Sequence, residues 1–595
     1  MPKKHPSKAP GLPPVPRGVG LGIFALALAL RALFGAATPD WSWPASAAYK
    51  ADAYTWLEYA RALQQGQRFE LGLPLRPPGM AYWVALLWNG QAESIPELKL
   101  VWCLLGALAV YGLYRIALRD FGFTVAALAG LLAAGSSGLL MLSTSLNNET
   151  PYLVLALAAL APCASLAAKP RGGRLALWSV LNALACLVRV EHLLFFGLAL
   201  LFLLARWRPG AEARVTPLGA AARLALCVSL FAITLAPWHF SAWAAIDRFN
   251  TEPPEPRPQD DAVHQRLEQL LAGRIHWSAP ALAERARLPA FCRRTAANFV
   301  AATLAWRGAA VVQAEDFEIL EQAFGGRPRP LDAHPFIALY GPLNFYLANN
   351  AAATGGFSRA ALDRPPPLAG GAARYPAPLI QGLPPQDLSL VYPPHLEVVL
   401  DGYAMGWRWI REHPADYLRL AWHKLRIFWA GAALGFTGTN LPLGLAGLRR
   451  SADLVVPHGA AASAWQLAML AAGGAGIAAG WRRSALIPWL LLLASKVAVT
   501  LAFFGYARQG ALLIPVVCLL VALAAERFIP PLRAADSAGG RLKLVRGLAG
   551  AALLMLGLET IRFISPPSIW IDGQPAGPRD PIPIDQHRDR IVELR

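Results

Sequence analysis

Uninterrupted apolar runs close to twenty residues long recur along this chain, and nothing limits its fold more. A helix needs roughly 20 apolar residues to cross the hydrocarbon of a bilayer, and inside that layer the backbone polar groups must be paired within the protein. Helical spans are therefore expected near residues 19–37, 98–118, 122–142, 150–168, 174–188, 192–206 and 218–238 and, after a long gap, near 462–480, 484–504, 509–526 and 545–561. The fold class is an all-α polytopic membrane protein of about eleven transmembrane helices. The stretch 80–89 is apolar but too short to cross, and reads as re-entrant or interfacial. Composition agrees: 55% of the 595 residues are hydrophobic and 15% charged, a balance foreign to soluble domains.

The formal charge of +18 raises nucleic acid as a partner. We reject it, because the Lys and Arg mostly occupy short segments between apolar runs, the signature of orientation in a membrane. With the N-terminus inside, the inner segments hold Lys3, Lys4, Lys8 and Arg17, then Arg115 and Arg119, then Lys169, Arg171 and Arg174, then Arg206, Arg208, Arg214 and Arg223. Arg482 and Arg483 follow, then Arg527, Arg533, Arg541 and Lys543, while the turn at 143–149 has none. This places Asp52, Glu149, Arg508 and the segment 239–461 on the outer side. Ala-, Arg-, Gly- and Pro-rich composition points to a bacterial chain, hence to the inner membrane.

The expected layout is a basic, Pro-rich cytoplasmic tail (1–18), an N-terminal transmembrane core (19–238) with a first external loop (38–97), an extracytoplasmic mixed insert (239–461), C-terminal spans (462–561) and a tail (562–595). The run 19–37 reads as an uncleaved span rather than a signal peptide, since more spans follow and Arg31 interrupts it. The insert is far too long for a plain loop. Residues 261–273 and 396–412 pattern as amphipathic helices, 363–394 as an irregular Pro- and Gly-rich wrap, and 419–429 as an interfacial helix. Cysteines at 103, 163, 186, 227, 292 and 518 include no CxxC pair, which argues against a disulfide framework or a zinc site. There are no repeats and no Walker motif.

Asp52 opens a helix in the first loop whose Ala53, Trp56, Leu57, Ala60 and Leu63 form one apolar stripe. Aspartate is a favoured N-cap, so capping explains it locally; a general base is the functional alternative. Glu149 stands at a helix entrance, where negative charge is favoured by about 0.3–1 kcal/mol, or else is a second acid beside Asp52. Two such acids could bind an acceptor or a divalent cation, but two carboxylates far apart in sequence do not specify a metal. Arg76, Arg189, Lys424 and Arg508 could hold a phosphate. Each has an alternative: turn formation at Arg76, a pair with Glu191 for Arg189, headgroup anchoring for Lys424, snorkelling for Arg508. Lys496, inside a span, should face protein or a wet cavity and pair with an acid; Arg31 has the same two readings. Asn349 and Asn350 form a turn or bind sugar hydroxyls. His239 reads as an interfacial residue.

DAYTWLEYARALQQG followed by RPPG resembles the first external loop of the C-type integral-membrane glycosyltransferases, in particular the family-39-like group of protein mannosyltransferases and lipid A aminoarabinose transferases. Further similar stretches follow in order: NNETPYLVLALAAL, LVRVEHLLFFGLALL, LAPWHFSAWAAIDRFN, NNAAATGG, AMGWRWIREHPADYLRLAWHKLRIFW and FFGYARQGALLIPVVCLL. The sequence departs where RPPG continues into MAYW and where Gln509 follows Arg508. The resemblance implies a polyprenyl-phosphate-linked sugar donor, an extracytoplasmic glycan, lipid or protein acceptor, contact with membrane lipids, and an inverting displacement. It implies Asp52 and Glu149 as catalytic acids and Tyr59, Arg76, Arg189, Lys424, Lys496 and Arg508 as binders of lipid phosphate or sugar. A transporter or flippase of lipid-linked sugars is the alternative, as is a scaffold that binds partners through its external segment.

Overall fold

A computed structural model describes residues 17–576 except 38–40, 42–43, 47–48, 50–51, 68–72, 208–214, 254–257, 325, 363–387, 389, 391, 436–447, 452–453, 534–537, 565–568 and 572–573. The N-terminal tail, most of the 363–394 wrap and most of the C-terminal tail lie outside the described residues. The protein is an all-α polytopic membrane protein. Among the described residues, seven helices are long and apolar enough to cross a bilayer, or eight if one bent pair counts as a span.

The first half comprises α1 (Arg17–Ala37), α2 (Ala53–Gln64), α3 (Gly79–Leu87), α4 (Ile95–Asp120), α5 (Phe123–Ala134), α6 (Ser137–Ser143), α7 (Glu149–Leu160), α8 (Cys163–Ala168), α9 (Gly172–Val188), α10 (His192–Trp207) and α11 (Pro217–Thr251). α1 is an integral part of this bundle: Ala27, Leu30 and Phe34 are fully buried in its core. The expected spans at 174–188 and 192–206 are helices of 17 and 16 residues, which fall outside the seven long enough to span. The expected span at 218–238 instead continues as α11 to Thr251, 35 residues in all.

The expected span at 122–142 is broken. α5 and α6 meet at 58° across Gly135 and Ser136. Hydropathy sums over such a run do not register where the backbone ladder stops. The groups released there must find partners inside the protein. Arg31, fully buried, donates from Nε to Ser143 Oγ at 3.1 Å and from Nη1 to the Ala27 and Ala134 carbonyls at 2.9 and 3.5 Å. Ser137 donates both its N–H, at 2.5 Å, and its hydroxyl, at 2.9 Å, to the carbonyl of Gly435. Arg31 thus serves the break and meets no acid among these contacts.

The segment after α11 is mainly helical rather than mixed: α12 (Pro258–Leu271), α13 (Ala279–Arg287), α14 (Ala290–Trp306), α15 (Glu318–Phe324), α16 (Tyr340–Ala348), α17 (Pro393–Glu412) and α18 (Pro414–Ala432). Its strands are short. β1 (His276–Trp277) pairs in parallel with β2 (Val311–Val312), and β3 (Leu448–Ser451) pairs antiparallel with β4 (Leu454–Pro457), Arg449 opposite Val456. Trp238 and His239 of α11 donate to the Ile337 and Phe336 carbonyls at 2.7 and 3.0 Å, so His239 has a structural task. The second half adds α19 (Ala460–Gly480), α20 (Ile487–Ala502), α21 (Ala507–Ala511), α22 (Ile514–Phe528), α23 (Pro530–Arg533) and α24 (Ala538–Ile564). The expected span at 509–526 is therefore two pieces, the short α21 and then a helix starting at Ile514. All six cysteines are buried free thiols.

Candidate active site

Two close backbone approaches build the site. The first is at the RPPG turn. A Cβ on Gly79 would lie 2.7 Å from the Leu187 carbonyl oxygen, so only glycine lets α3 start against the end of α9. That contact sets Arg76, three residues earlier, near the turn after α9, which carries Arg189. The second is between α18 and α21. Cβ atoms on Gly431, Gly505 and Gly510 would lie 1.8, 2.3 and 1.8 Å from the carbonyl oxygens of Ala507, Lys424 and Phe428. The backbone carrying Arg508 is thereby seated directly on α18.

Asp52 precedes α2, and the apolar stripe behaves as expected: Ala53, Trp56, Leu57 and Ala60 are buried and Leu63 is half-buried. The carboxylate, however, makes no capping hydrogen bond. It faces Arg508 instead, with Nη1 donating to Oδ2 at 3.4 Å, and Arg76, whose Nη2 is 4.0 Å from Oδ1. Burial pushes the Asp52 pKa up, but Arg76 and then Arg508 outweigh it and hold the group below the ordinary aspartate value. Asp52 keeps about a third of its side chain exposed, at 36%.

Glu149, the first residue of α7, is fully buried. Its Oε1 accepts from Arg189 and lies 3.9 Å from Arg508 Nε; its Oε2 accepts from the Tyr49 hydroxyl at 2.8 Å. Arg508 therefore stands between the two acids, its guanidinium 4.7 Å from the Tyr506 ring centre. Arg189 also donates to Glu191 at 2.5 Å and to Asn148 at 3.0 Å. Lys496 pairs with Glu191 at 3.3 Å, as its position in a span predicts, and lies 4.2 Å from the Tyr152 ring centre. The Tyr152 hydroxyl is 3.0 Å from His192 Nδ1, and His192 Nε2 is 3.0 Å from Asn182 Oδ1. Since that oxygen can only accept, Nε2 carries the proton and Tyr152 donates.

Arg76 donates to the buried Tyr59 hydroxyl at 3.2 Å and sits 5.7–5.8 Å from the ring centres of Tyr59, Trp56 and Tyr340. The structure thus brings together Asp52, Tyr59, Arg76, Glu149, Arg189, Lys496 and Arg508. Lys424 is buried but spends its hydrogen bonds elsewhere, on Asn349 Oδ1 at 2.9 Å and the Leu501 carbonyl at 3.0 Å. Asn349 is a bridge between segments, and Asn350 closes its own turn on the Tyr346 and Leu347 carbonyls. Tyr49, Tyr152 and Tyr340 were not singled out from sequence; their partners lie too far along the chain for local pattern to reveal them. Among the described residues no group of three His, Cys, Asp or Glu side chains gathers as a metal site. A divalent cation shared by Asp52 and Glu149 would have to displace Arg508 from between them.

The acids and guanidinium groups of the site thus converge from the segments around α2, α7, α9 and α21 of a helical membrane protein. Residues 75–233 match the family described as dolichyl-phosphate-mannose-protein mannosyltransferase. That match, over part of the chain, makes it similar to a family of membrane glycosyltransferases and supports the resemblance to the C-type superfamily. Arg76, Glu149 and Arg189 fall inside the matched stretch; Asp52, Tyr59, Lys424, Lys496 and Arg508 lie outside it. No curated protein and no solved structure gave a match.

Proposed function

We propose that this protein moves a sugar from a polyprenyl-phosphate donor to an acceptor hydroxyl on the extracytoplasmic face of the inner membrane, with Asp52 as general base. The observation that carries this reading is the pairing of Asp52 with Arg508 at 3.4 Å in place of a helix cap. A base for the acceptor and a cation for the leaving phosphate thereby meet at one point.

The reaction is a single displacement. The acceptor oxygen attacks the anomeric carbon and passes its proton to the Asp52 carboxylate. The bond from that carbon to the phosphate oxygen breaks, its electron pair leaves with the lipid phosphate, and the configuration inverts. A phosphate leaving group needs positive charge where negative charge develops more than it needs a strong acid. Arg508, Arg76 and Arg189 supply it, with Lys496 held behind them by Glu191. Glu149 orients Arg189 and Arg508. The acceptor proton must come within hydrogen-bond reach of Asp52, and the exposed third of that side chain leaves room.

The test is Asp52→Asn in full-length protein that inserts and binds a labelled lipid donor. Sugar transfer and lipid-phosphate release should fall by at least about 100-fold, the usual contribution of general base catalysis. Near-normal transfer would remove Asp52 from the role. Movement of intact donor across the bilayer without bond cleavage would instead favour a transporter.

A further inference from the structure

We propose that Arg508 is a clasp shared between base and donor: it holds Asp52 while the site is empty, and donor phosphate draws it away, so that the base is released only when a donor is seated. This inference rests on the reading of Asp52 as base and adds a control over when it acts.

The four cations of the cluster differ in how their donors are spent. Arg189 is divided among Glu149, Glu191 and Asn148. Lys496 is pinned between Glu191 and the Tyr152 ring. Arg76 donates to Tyr59 amid three aromatic rings. Among the described residues Arg508 has one long hydrogen bond, to Asp52 at 3.4 Å, and its buried Nε finds no hydrogen-bond partner there, standing 3.9 Å from Glu149. A guanidinium carries five N–H donors in a fork suited to two phosphate oxygens. Arg508 thus has donor capacity to spare.

The backbone beneath it is tightly seated. α21 is locked to α18 by the Gly431, Gly505 and Gly510 contacts, so any adjustment falls on the Arg508 side chain. Departure of that side chain does not strand Glu149, which retains Arg189 and Tyr49. Asp52 is the group that changes. The charged groups facing it are Arg508 from α21, Arg76 from the turn before α3, and Arg189 at longer range from the end of α9. A carboxylate held by a guanidinium is a weak proton acceptor, and losing one such neighbour strengthens it.

The experiment compares two pH profiles of full-length protein with one lipid donor. The acid limb of kcat/KM for the donor reports Asp52 in the empty site, and the acid limb of kcat reports it in the donor complex. The clasp predicts that the kcat limb lies about one pH unit higher, the size expected for losing one close cation. In Arg508→Gln the two limbs should converge and the donor KM should rise; Arg508→Lys, which keeps the charge, should retain a reduced gap. Coincident limbs in the wild type overturn the proposal without recourse to any variant. A gap that survives in Arg508→Gln overturns it too, by assigning the effect to another cation. Failure of Asp52 as the base would show separately, as transfer retained in Asp52→Asn.

Discussion

Replacing Tyr49 by Phe isolates a single atom of the site. The ring stays, so its packing and its backbone bridge to Leu454 of β4 are kept; only the hydroxyl that donates to Glu149 Oε2 at 2.8 Å is lost. Glu149 is fully buried, and Tyr49 is the hydrogen-bond donor to Oε2 among the described residues, Arg189 being bonded to the other oxygen. A hydrogen bond to a charged group is worth about 1.5–3 kcal/mol. At about 1.36 kcal/mol per tenfold, full expression of that loss in the transition state lowers kcat/KM roughly 10- to 150-fold. The assay is transfer from a labelled polyprenyl-phosphate sugar at sub-saturating donor, run for Tyr49→Phe, Glu149→Gln and the double variant. Groups in one network are non-additive, so the double variant should be little worse than Glu149→Gln alone. Wild-type kcat/KM in Tyr49→Phe, or strict additivity with Glu149→Gln, would refute the claim that the hydroxyl acts by holding this carboxylate.

Arg189→Gln should take the closest cation from both Glu149 and Glu191, leaving Glu149 with Tyr49 and the more distant Arg508 and Glu191 with Lys496. Breaking a buried pair costs about 3–5 kcal/mol, so the yield of monodisperse protein should collapse while Arg189→Lys is intermediate; equal yields would count against the network. Gly431→Ala should also be lost, its Cβ falling 1.8 Å from the Ala507 oxygen, whereas Gly356→Ala, whose nearest neighbour is 3.7 Å away, should be tolerated; size-exclusion profiles of the two decide it. In the insert, hydrogen bonding from Arg294, with help from Asn298, lowers Glu268 from the ordinary 4.5 to about 2 against opposing burial. The folded value is depressed, so the stabilisation is present above pH 4.5 and is lost as pH falls toward 2. Because the pair is well exposed the effect is modest: amide exchange in α12 and α14, corrected for intrinsic rate, should quicken over that window, and a flat profile would contradict it.

Apolar length and charge bias made the helical membrane fold legible, because both are summed locally along the chain. The stripe from Ala53 to Ala60 was legible for the same reason, and so was an acid partner for Lys496, since an unpaired ammonium in a span is too costly. The alternative of a helix cap for Asp52 was sound local reasoning that the fold overrode: its partner, Arg508, is 456 residues away. The Tyr49–Glu149 bond spans 100 residues and has no sequence signal. Lys424, grouped with the phosphate binders from sequence, is bonded to Asn349 and a carbonyl. The break after α5 was missed because Gly-Ser-Ser interrupts the backbone ladder without lowering the apolar sum enough to notice.

That break has a consequence for how the protein is made. The N–H and hydroxyl of Ser137 are satisfied by Gly435, a residue 298 positions later. At roughly 5–20 residues per second of synthesis, that partner leaves the ribosome about 15–60 s after the serine does. For that interval the α5–α6 elbow must wait, with its polar groups on water, lipid headgroups or an insertion factor. The N-terminal bundle is therefore a provisional structure until the end of α18 arrives to close it. Chains halted between these two points should be the species most prone to removal by membrane quality control.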